Sequence, residues 1–207
     1  MGLVKATVVE STEKSRQIEQ QSCEELALAL EDSDATVRRH AAQKITSCLD
    51  AATALVSRLK REENTAVREA ILNSLLQLHD PSVGSGLADC LRSEDAALRN
   101  DVIEAFKQLG DEVAPILRSL LADPDPDVRI FVVNILNSER YPNVEQWLIE
   151  VIERDSHVNV CATAVDLLCE VGTEAAIDPM LRLKARFAHE AYIQFAADLA
   201  LKRVREI

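Results

Sequence analysis

The sequence predicts an all-α fold made of repeated helical hairpins, and two observations support this prediction. The first is composition: of 207 residues, 47% are hydrophobic and 28% charged, whereas aromatic residues reach only 3%, with 5 Gly and 6 Pro. Scarce helix breakers and scarce aromatic residues favour helices and argue against a β-sandwich or barrel. The second is an internal repeat of about 30 residues, a period that is typical of stacked helical pairs.

A short block carries the repeat: an acidic or Asn residue at a turn, two further residues, an apolar anchor and usually an Arg. The anchors are placed at positions 37, 67, 98, 128 and 158, with spacings of 30, 31, 30 and 30 residues. A degenerate sixth copy is placed at Phe187-Ala188. Apolar residues recur at the anchor and four and often eight residues later, as in Val37, Ala41 and Ile45, so they share one helix face.

Each copy predicts a first, shorter helix and a second helix that begins at the acidic turn. Residues 1–22 hold no repeat and are predicted to be a polar leader, either flexible or the start of a solvated helix, whereas residues 23–207 are predicted to form one repeat domain. The last helix is expected from about Phe187 to Arg205. The first helices are expected at roughly Glu24–Leu30, Ala51–Lys60, Val83–Leu91, Val113–Leu121, Val144–Ile152 and Ala175–Leu183.

The acidic turns and the Arg residues are predicted to have a structural role. An Asp at the turn can accept hydrogen bonds from the free amides of the following helix, where a carboxylate also suits the positive helix end. The Arg next to each anchor could reach the acidic turn of an adjacent copy. The resulting Arg–Asp ladder would comprise Asp34, Arg38, Arg68, Asp95, Arg99, Asp125, Arg129 and Asp155.

These residues resemble a known family. Helical pairs that repeat near 30 residues with a D-x-x-V-R block are similar to the short HEAT-like repeats first described in phycobilisome lyases, and the likeness runs from Cys23 to Arg205. The resemblance implies a right-handed α-α solenoid of about six hairpins, whose second helices line a concave face. It is specific for fold and poor for function, because one fold hosts many roles.

Helical geometry predicts which side chains of the second helices point away from the core. From the anchors above, the outward residues are polar in the first three copies and turn apolar in the later ones. One interpretation packs the apolar members against the neighbouring second helix. The other makes the face a groove that accepts a partner helix or extended peptide. The predicted partner-binding residues are Arg39, Gln43, Glu69, Asn73, Asn100, Glu104, Ile130, Asn134, Val160, Ala164 and Ile193.

Composition and motifs exclude several classes of function. The net charge of −12 disfavours nucleic acid, because a phosphate binder needs a basic surface. No stretch is long and apolar enough to span a bilayer, and the N-terminus lacks a signal-peptide pattern. Five widely spaced cysteines are expected to be buried reduced thiols, with Cys161 as a candidate reactive exception. The four histidines are too scattered for a metal site, and no phosphate-binding or nucleophile motif occurs.

We therefore expect a non-enzymatic, cytoplasmic scaffold that binds another protein, with no catalytic residue, cofactor, metal, nucleic acid or membrane. The alternative, implied by the family resemblance alone, is a bilin lyase or a chaperone that handles a chromophore and its phycobiliprotein-like partner. The oligomeric state is left open, a monomer included.

Overall fold

The computed structural model describes residues 21–137 and 142–206, and all regular structure in these ranges is helical. This confirms the predicted all-α class. Residues 1–20 of the predicted leader lie outside the described residues, and Ser22 caps the first helix. The helices are α1 Cys23–Ala29, α2 Ala35–Lys44, α3 Ala51–Leu59, α4 Thr65–Gln77, α5 Pro81–Cys90, α6 Ala96–Leu109, α7 Ala114–Leu120, α8 Pro126–Leu136, α9 Val144–Arg154, α10 Val158–Val171, α11 Ile177–Arg186 and α12 Ala191–Glu206.

The helices fall into two compact units, one ending at Val83 and the other beginning at Gly84. In the first unit α2 packs on α1 and α4, and α4 packs on α3. In the second unit α8 packs on α6, α7 and α10, while α12 packs on α10 and α11. The even-numbered helices, which are the second helices of the hairpins, thus pack on one another in sequence within each unit. The single domain predicted for residues 23–207 stays a prediction.

Each second helix buries one stripe, and its register follows from the N-cap. Asp34, Asn64, Asp95 and Asp125 cap α2, α4, α6 and α8 by accepting amide protons from the first helical turn. This satisfies amides that have no partner within the helix. The third, seventh and eleventh residues after each N-cap then form the stripe. In α4, α6 and α8 all of these are buried: Val67, Ile71, Leu75, Leu98, Val102, Phe106, Val128, Val132 and Leu136.

The predicted anchors of the fifth and sixth copies are wrong. The N-cap of α10 is His157, so Val160, not Val158, is its anchor. In α12 the amide of Gln194 donates to the carbonyl of Glu190 at 3.1 Å, as the amide of Arg38 donates to that of Asp34. Glu190 therefore marks the start of α12. The turns before α10 and α12 are longer than a constant period allows, which shifts the register.

The cysteine prediction also needs correction, because Cys23 and Cys48 form a disulfide with Cα atoms 5.7 Å apart. Cys23 opens α1 and Cys48 follows the 3₁₀ turn after α2, so folding of this hairpin brings them together. Cys90 and Cys161 are buried free thiols, and Cys169 is a half-buried one. Disulfides are uncommon in the cytosol, and the cytoplasmic localisation stays a prediction.

Reduction of the Cys23–Cys48 disulfide is expected to lower the free energy of unfolding by about 3 kcal/mol. The bond closes a loop of 25 residues, and such a link removes entropy mainly from the unfolded chain. Urea unfolding with and without a phosphine reductant measures the difference. The Cys48→Ser variant is the control: since it has no bond to reduce, the reductant is expected to leave its midpoint unchanged. Equal effects on both proteins would contradict the prediction.

Candidate functional site: the outward faces of the second helices

Each second helix exposes a row of side chains opposite its buried stripe. In an α-helix the residues two, five and nine positions after the N-cap lie on the side opposite positions three, seven and eleven. We call these three positions the outward face. They are Thr36, Arg39, Gln43, Ala66, Glu69, Asn73, Ala97, Asn100, Glu104, Asp127, Ile130, Asn134, Asn159, Ala162, Asp166, Tyr192, Phe195 and Leu199.

The predicted partner-binding residues of the first four second helices belong to this face. Seven of the eight are exposed: Arg39, Gln43, Glu69, Asn73, Asn100, Glu104 and Asn134. The eighth, Ile130, is half-buried. Beside it, the ring of Phe131 lies 5.5 Å from the guanidinium carbon of Arg99, so the cation covers part of this apolar pair.

The three remaining predicted residues do not belong to the outward face. Val160, Ala164 and Ile193 each have 0% exposure and lie in the core stripes of α10 and α12. Placing them on a surface was wrong, because the anchor of α10 lies two residues later than predicted. The same shift buries Cys161, and burial raises the pKa of its thiol to about 11. The idea of a reactive Cys161 is therefore also wrong, since the thiolate is the reactive form.

Other residues take those places. On α10 the outward face carries Asn159, Ala162 and Asp166, and on α12 it carries Tyr192, Phe195 and Leu199. The signal that could have found them is turn chemistry. Asp155 accepts the amide of His157 at 2.8 Å, in the way that Asp123 accepts the amide of Asp125 at 3.0 Å.

The outward face of the second unit is acidic in its middle part. Glu104, Asp127 and Asp166 lie on three successive second helices, α6, α8 and α10, and all three are exposed. Lys107 on α6 pairs with Glu104 at 2.8 Å. No Lys or Arg occupies any of the twelve outward positions of this unit.

The turns that precede the second helices share one hydrogen-bond pattern, which the sequence did not reveal. The residue two before each N-cap accepts the N-cap amide through its side chain, at 2.7–3.1 Å: Asp32, Glu62, Ser93, Asp123 and Asp155. The Arg four residues after the N-cap donates to the backbone carbonyl of that same residue, at 2.6–2.9 Å: Arg38, Arg68, Arg99 and Arg129. The Arg residues of the repeat therefore close their own turns first.

Two of these Arg residues also reach the next turn. Arg38 donates from Nε and Nη2 to Glu62 at 2.8 and 2.9 Å. Arg129 makes the same paired contact with Asp155 at 2.6 and 3.0 Å. The predicted ladder thus brings Arg129 and Asp155 together. Asp34, Asp95 and Asp125 instead cap their own helices, so the acid that an Arg meets lies two residues before the N-cap.

Glu62 is the most buried acid of this network, with a side chain of 0% exposure. Burial by itself raises the pKa of its carboxyl, but hydrogen bonds from Arg38, the Asn64 amide and Arg58 outweigh it and lower the pKa from 4.5 to about 2. Arg58 donates to it at 2.8 Å. Glu62 therefore stays ionised at neutral pH and links two successive turns of the first unit.

In the fifth copy an Arg from another helix replaces the missing one. Cys161 stands where the other copies have Arg, and its Sγ lies 3.3 Å from the carbonyl oxygen of Asp155. Arg186, at the end of α11, donates to this carbonyl at 2.8 Å and also to those of Ile152 and Glu153 at 2.8 and 2.6 Å. The turn is thus closed by the following hairpin, which only the tertiary structure shows.

Each unit has a cavity beside these elements. In the first, about 530 Å³ lies in front of α2, and Arg39, His40 and Gln43 line it with Gln21 and Ala29. In the second, about 470 Å³ lies along the turns before α8 and α10, lined by charged residues of both signs: Arg118, Asp123, Arg129, Glu150, Arg154 and Asp155. Neither contains a metal cluster: within residues 21–137 and 142–206 no three His, Cys, Asp or Glu groups are placed to hold an ion.

Comparison with known families supports the repeat. Residues 23–107 match the family model of HEAT repeats, so the predicted HEAT-like character is confirmed there. No curated protein matches the chain. No helix among the described residues is long and apolar enough to cross a membrane.

Three solved structures are similar in their helical fold. The HEAT-like repeats protein from the archaeon Thermococcus onnurineus NA1 is 16% identical, with a TM-score of 0.49, over 100% of this chain and 94% of that one. An engineered protein is 16% identical, with a TM-score of 0.41, over 90% and 98%. The complex of CpcE and CpcF of phycocyanin lyase from Nostoc sp. PCC7120 is 17% identical, with a TM-score of 0.38, over 90% and 95%. Similarities at this level carry no argument about function.

Proposed function

With HEAT repeats in residues 23–107 as the starting point, we propose that this protein is a non-enzymatic scaffold that binds a partner protein along the outward faces of its second helices. The observation that carries the proposal is the row of exposed side chains on α6, α8 and α10. These helices pack side by side in the second unit, so their outward residues form one continuous surface instead of isolated points.

The charge of this surface defines the partner. Glu104 and Asp127 are exposed carboxylates on adjacent helices, and Asn100 and Asn134 between them offer both donors and acceptors. A segment that carries Lys or Arg complements such a surface, whereas phosphate groups are repelled. We therefore propose a basic polypeptide segment as the partner and α6–α8 as the centre of its site.

A crosslinking experiment tests the site. A photo-crosslinking amino acid at Asn134, on the outward face of α8, is expected to capture the partner in cells. The same amino acid at Gln146, exposed on the first helix α9, serves as the control and is expected to capture none. Equal capture at both positions would contradict the proposal.

Charge reversal then tests the partner's chemistry. The double variant Glu104→Arg/Asp127→Arg is expected to weaken binding of the captured protein about tenfold or more. The variant Asp111→Arg/Glu112→Arg changes the net charge equally at exposed positions off the outward face and is expected to bind as the parent does. Adding a linear tetrapyrrole is expected to give no shifted absorption band; a specific band would favour the chromophore-handling alternative.

A further inference from the structure

Helix α12 carries an exposed apolar stripe. Tyr192, Phe195 and Leu199 are 55%, 66% and 50% exposed. Spacings of three and four residues place them on one face of the helix. Two aromatic rings and a Leu side by side in water are unfavourable compared with burial. Nothing in the described part of the chain covers them, so this stripe is a surface for a partner.

The charges beside the stripe are ordered along the helix. Near its N-terminal end lie two carboxylates: Glu190 is exposed, and Asp166 accepts the Tyr192 hydroxyl proton at 2.8 Å. Near its C-terminal end lie three exposed cations, Lys202, Arg203 and Arg205, with Glu206 as the one acid among them. The stripe is thus acidic at one end and basic at the other.

We propose that a second copy of this chain covers the stripe, with the two α12 helices antiparallel. In this arrangement a two-fold axis places Phe195 of one copy against Leu199 of the other, and the reverse. Each acidic end then meets a basic end, so that Lys202 of one copy faces Asp166 of the other. A parallel arrangement would place like charges together, and the opposed dipoles of antiparallel helices also favour this pairing.

Charge order is what selects a second copy over another occupant. An unrelated protein would need an apolar helix flanked by both signs of charge in this order, and α12 itself meets that requirement. The contact uses α12 and the neighbouring edge of α10. Glu104 and Asp127 lie outside it, so the dimer stands or fails independently of the proposed partner binding.

Sedimentation equilibrium over a range of concentrations tests the proposal on the full chain. The parent protein is expected to dimerise, and Phe195→Glu is expected to weaken the dimer more than about tenfold, because it places two carboxylates in the apolar contact. The control Leu49→Glu makes a comparable change at a residue that is 96% exposed in the first unit and is expected to leave the dimer intact. Far-UV circular dichroism verifies that both variants stay helical.

A charge variant tests the antiparallel order. Lys202→Glu is expected to weaken the dimer several-fold, because a carboxylate would then face Asp166 of the other copy. Arg154→Glu changes the net charge equally on the exposed surface of α9, where the Arg154 side chain is 80% exposed, and is expected to have little effect. A parent protein that stays monomeric, a dimer that survives Phe195→Glu, or equal effects of the two charge variants would each overturn the proposal.

Discussion

Val160→Asp is expected to lower the free energy of unfolding by about 4 kcal/mol or more, enough to unfold the second unit at room temperature. Val160 has 0% exposure and lies three residues after the N-cap of α10, where every copy in this unit has a core residue. A carboxylate at this position would lose its water and gain no cation. Urea unfolding followed by circular dichroism measures the effect.

The neighbouring residue provides the control. Asn159 is exposed, and Asn159→Asp introduces the same charge one position earlier, near the positive end of α10. This variant is expected to change stability by less than about 0.5 kcal/mol. Similar unfolding curves for the two variants would mean that Val160 faces solvent and that the register described for α10 is wrong.

Glu62→Gln is expected to destabilise the first unit by about 3 kcal/mol. The variant keeps the size of the side chain and an oxygen for the Asn64 amide, but it removes the charge that Arg38 and Arg58 share in a buried place. Removing one member of a buried ion pair leaves the other uncompensated, which costs more than the pair is worth. Chemical denaturation at neutral pH measures the loss.

The contribution of Glu62 is also expected to depend on pH. Folding lowers the pKa of Glu62 from 4.5 to about 2, so the stabilisation is fully present above about pH 4.5 and is lost as the pH falls towards 2. At about 1.4 kcal/mol per pKa unit, this difference corresponds to about 3 kcal/mol. The gap in stability between the parent and Glu62→Gln should therefore close between pH 5 and pH 2.

Glu63 is the matched control for this prediction. It is the next residue, it is exposed, and Glu63→Gln removes the same charge from the surface. Its effect is expected to stay below about 0.5 kcal/mol. If Glu63→Gln costs as much as Glu62→Gln, the loss is a consequence of net charge and not of the buried contacts with Arg38 and Arg58.

Sequence reasoning succeeded where the turn length is constant. The anchors of α2, α4, α6 and α8 are spaced by 30 or 31 residues, and the outward residues inferred from them lie where helical geometry places them. It failed at α10 and α12, where longer turns move the anchor to Val160 and Ile193. Val158 and Val160 are both apolar, so periodicity alone could not choose between them; the N-cap at His157 decides.

The polar partners were less predictable than the apolar ones. A D-x-x-V-R block places an Arg near a turn, but it does not say which acid of the next turn will face it. The guanidinium of Arg38 reaches Glu62 because stacking of α2 on α4 brings the two turns together. Arg186 replaces the missing Arg of the fifth copy from 25 residues away, a distance over which local pattern carries no information.

The internal repeat and the composition of the 207 residues are sufficient to predict helical pairs, their approximate boundaries and the negative charge. Local propensity and one-sided burial depend on neighbours in the chain, and such neighbours can be read directly. Packing of one hairpin on the next decided the rest: the register of α10 and α12, the Cys23–Cys48 disulfide, and the apolar stripe on α12 in place of a groove at Val160. Each of these depends on distances between residues remote in sequence, and those distances arise only when the turns have set how the helices stack.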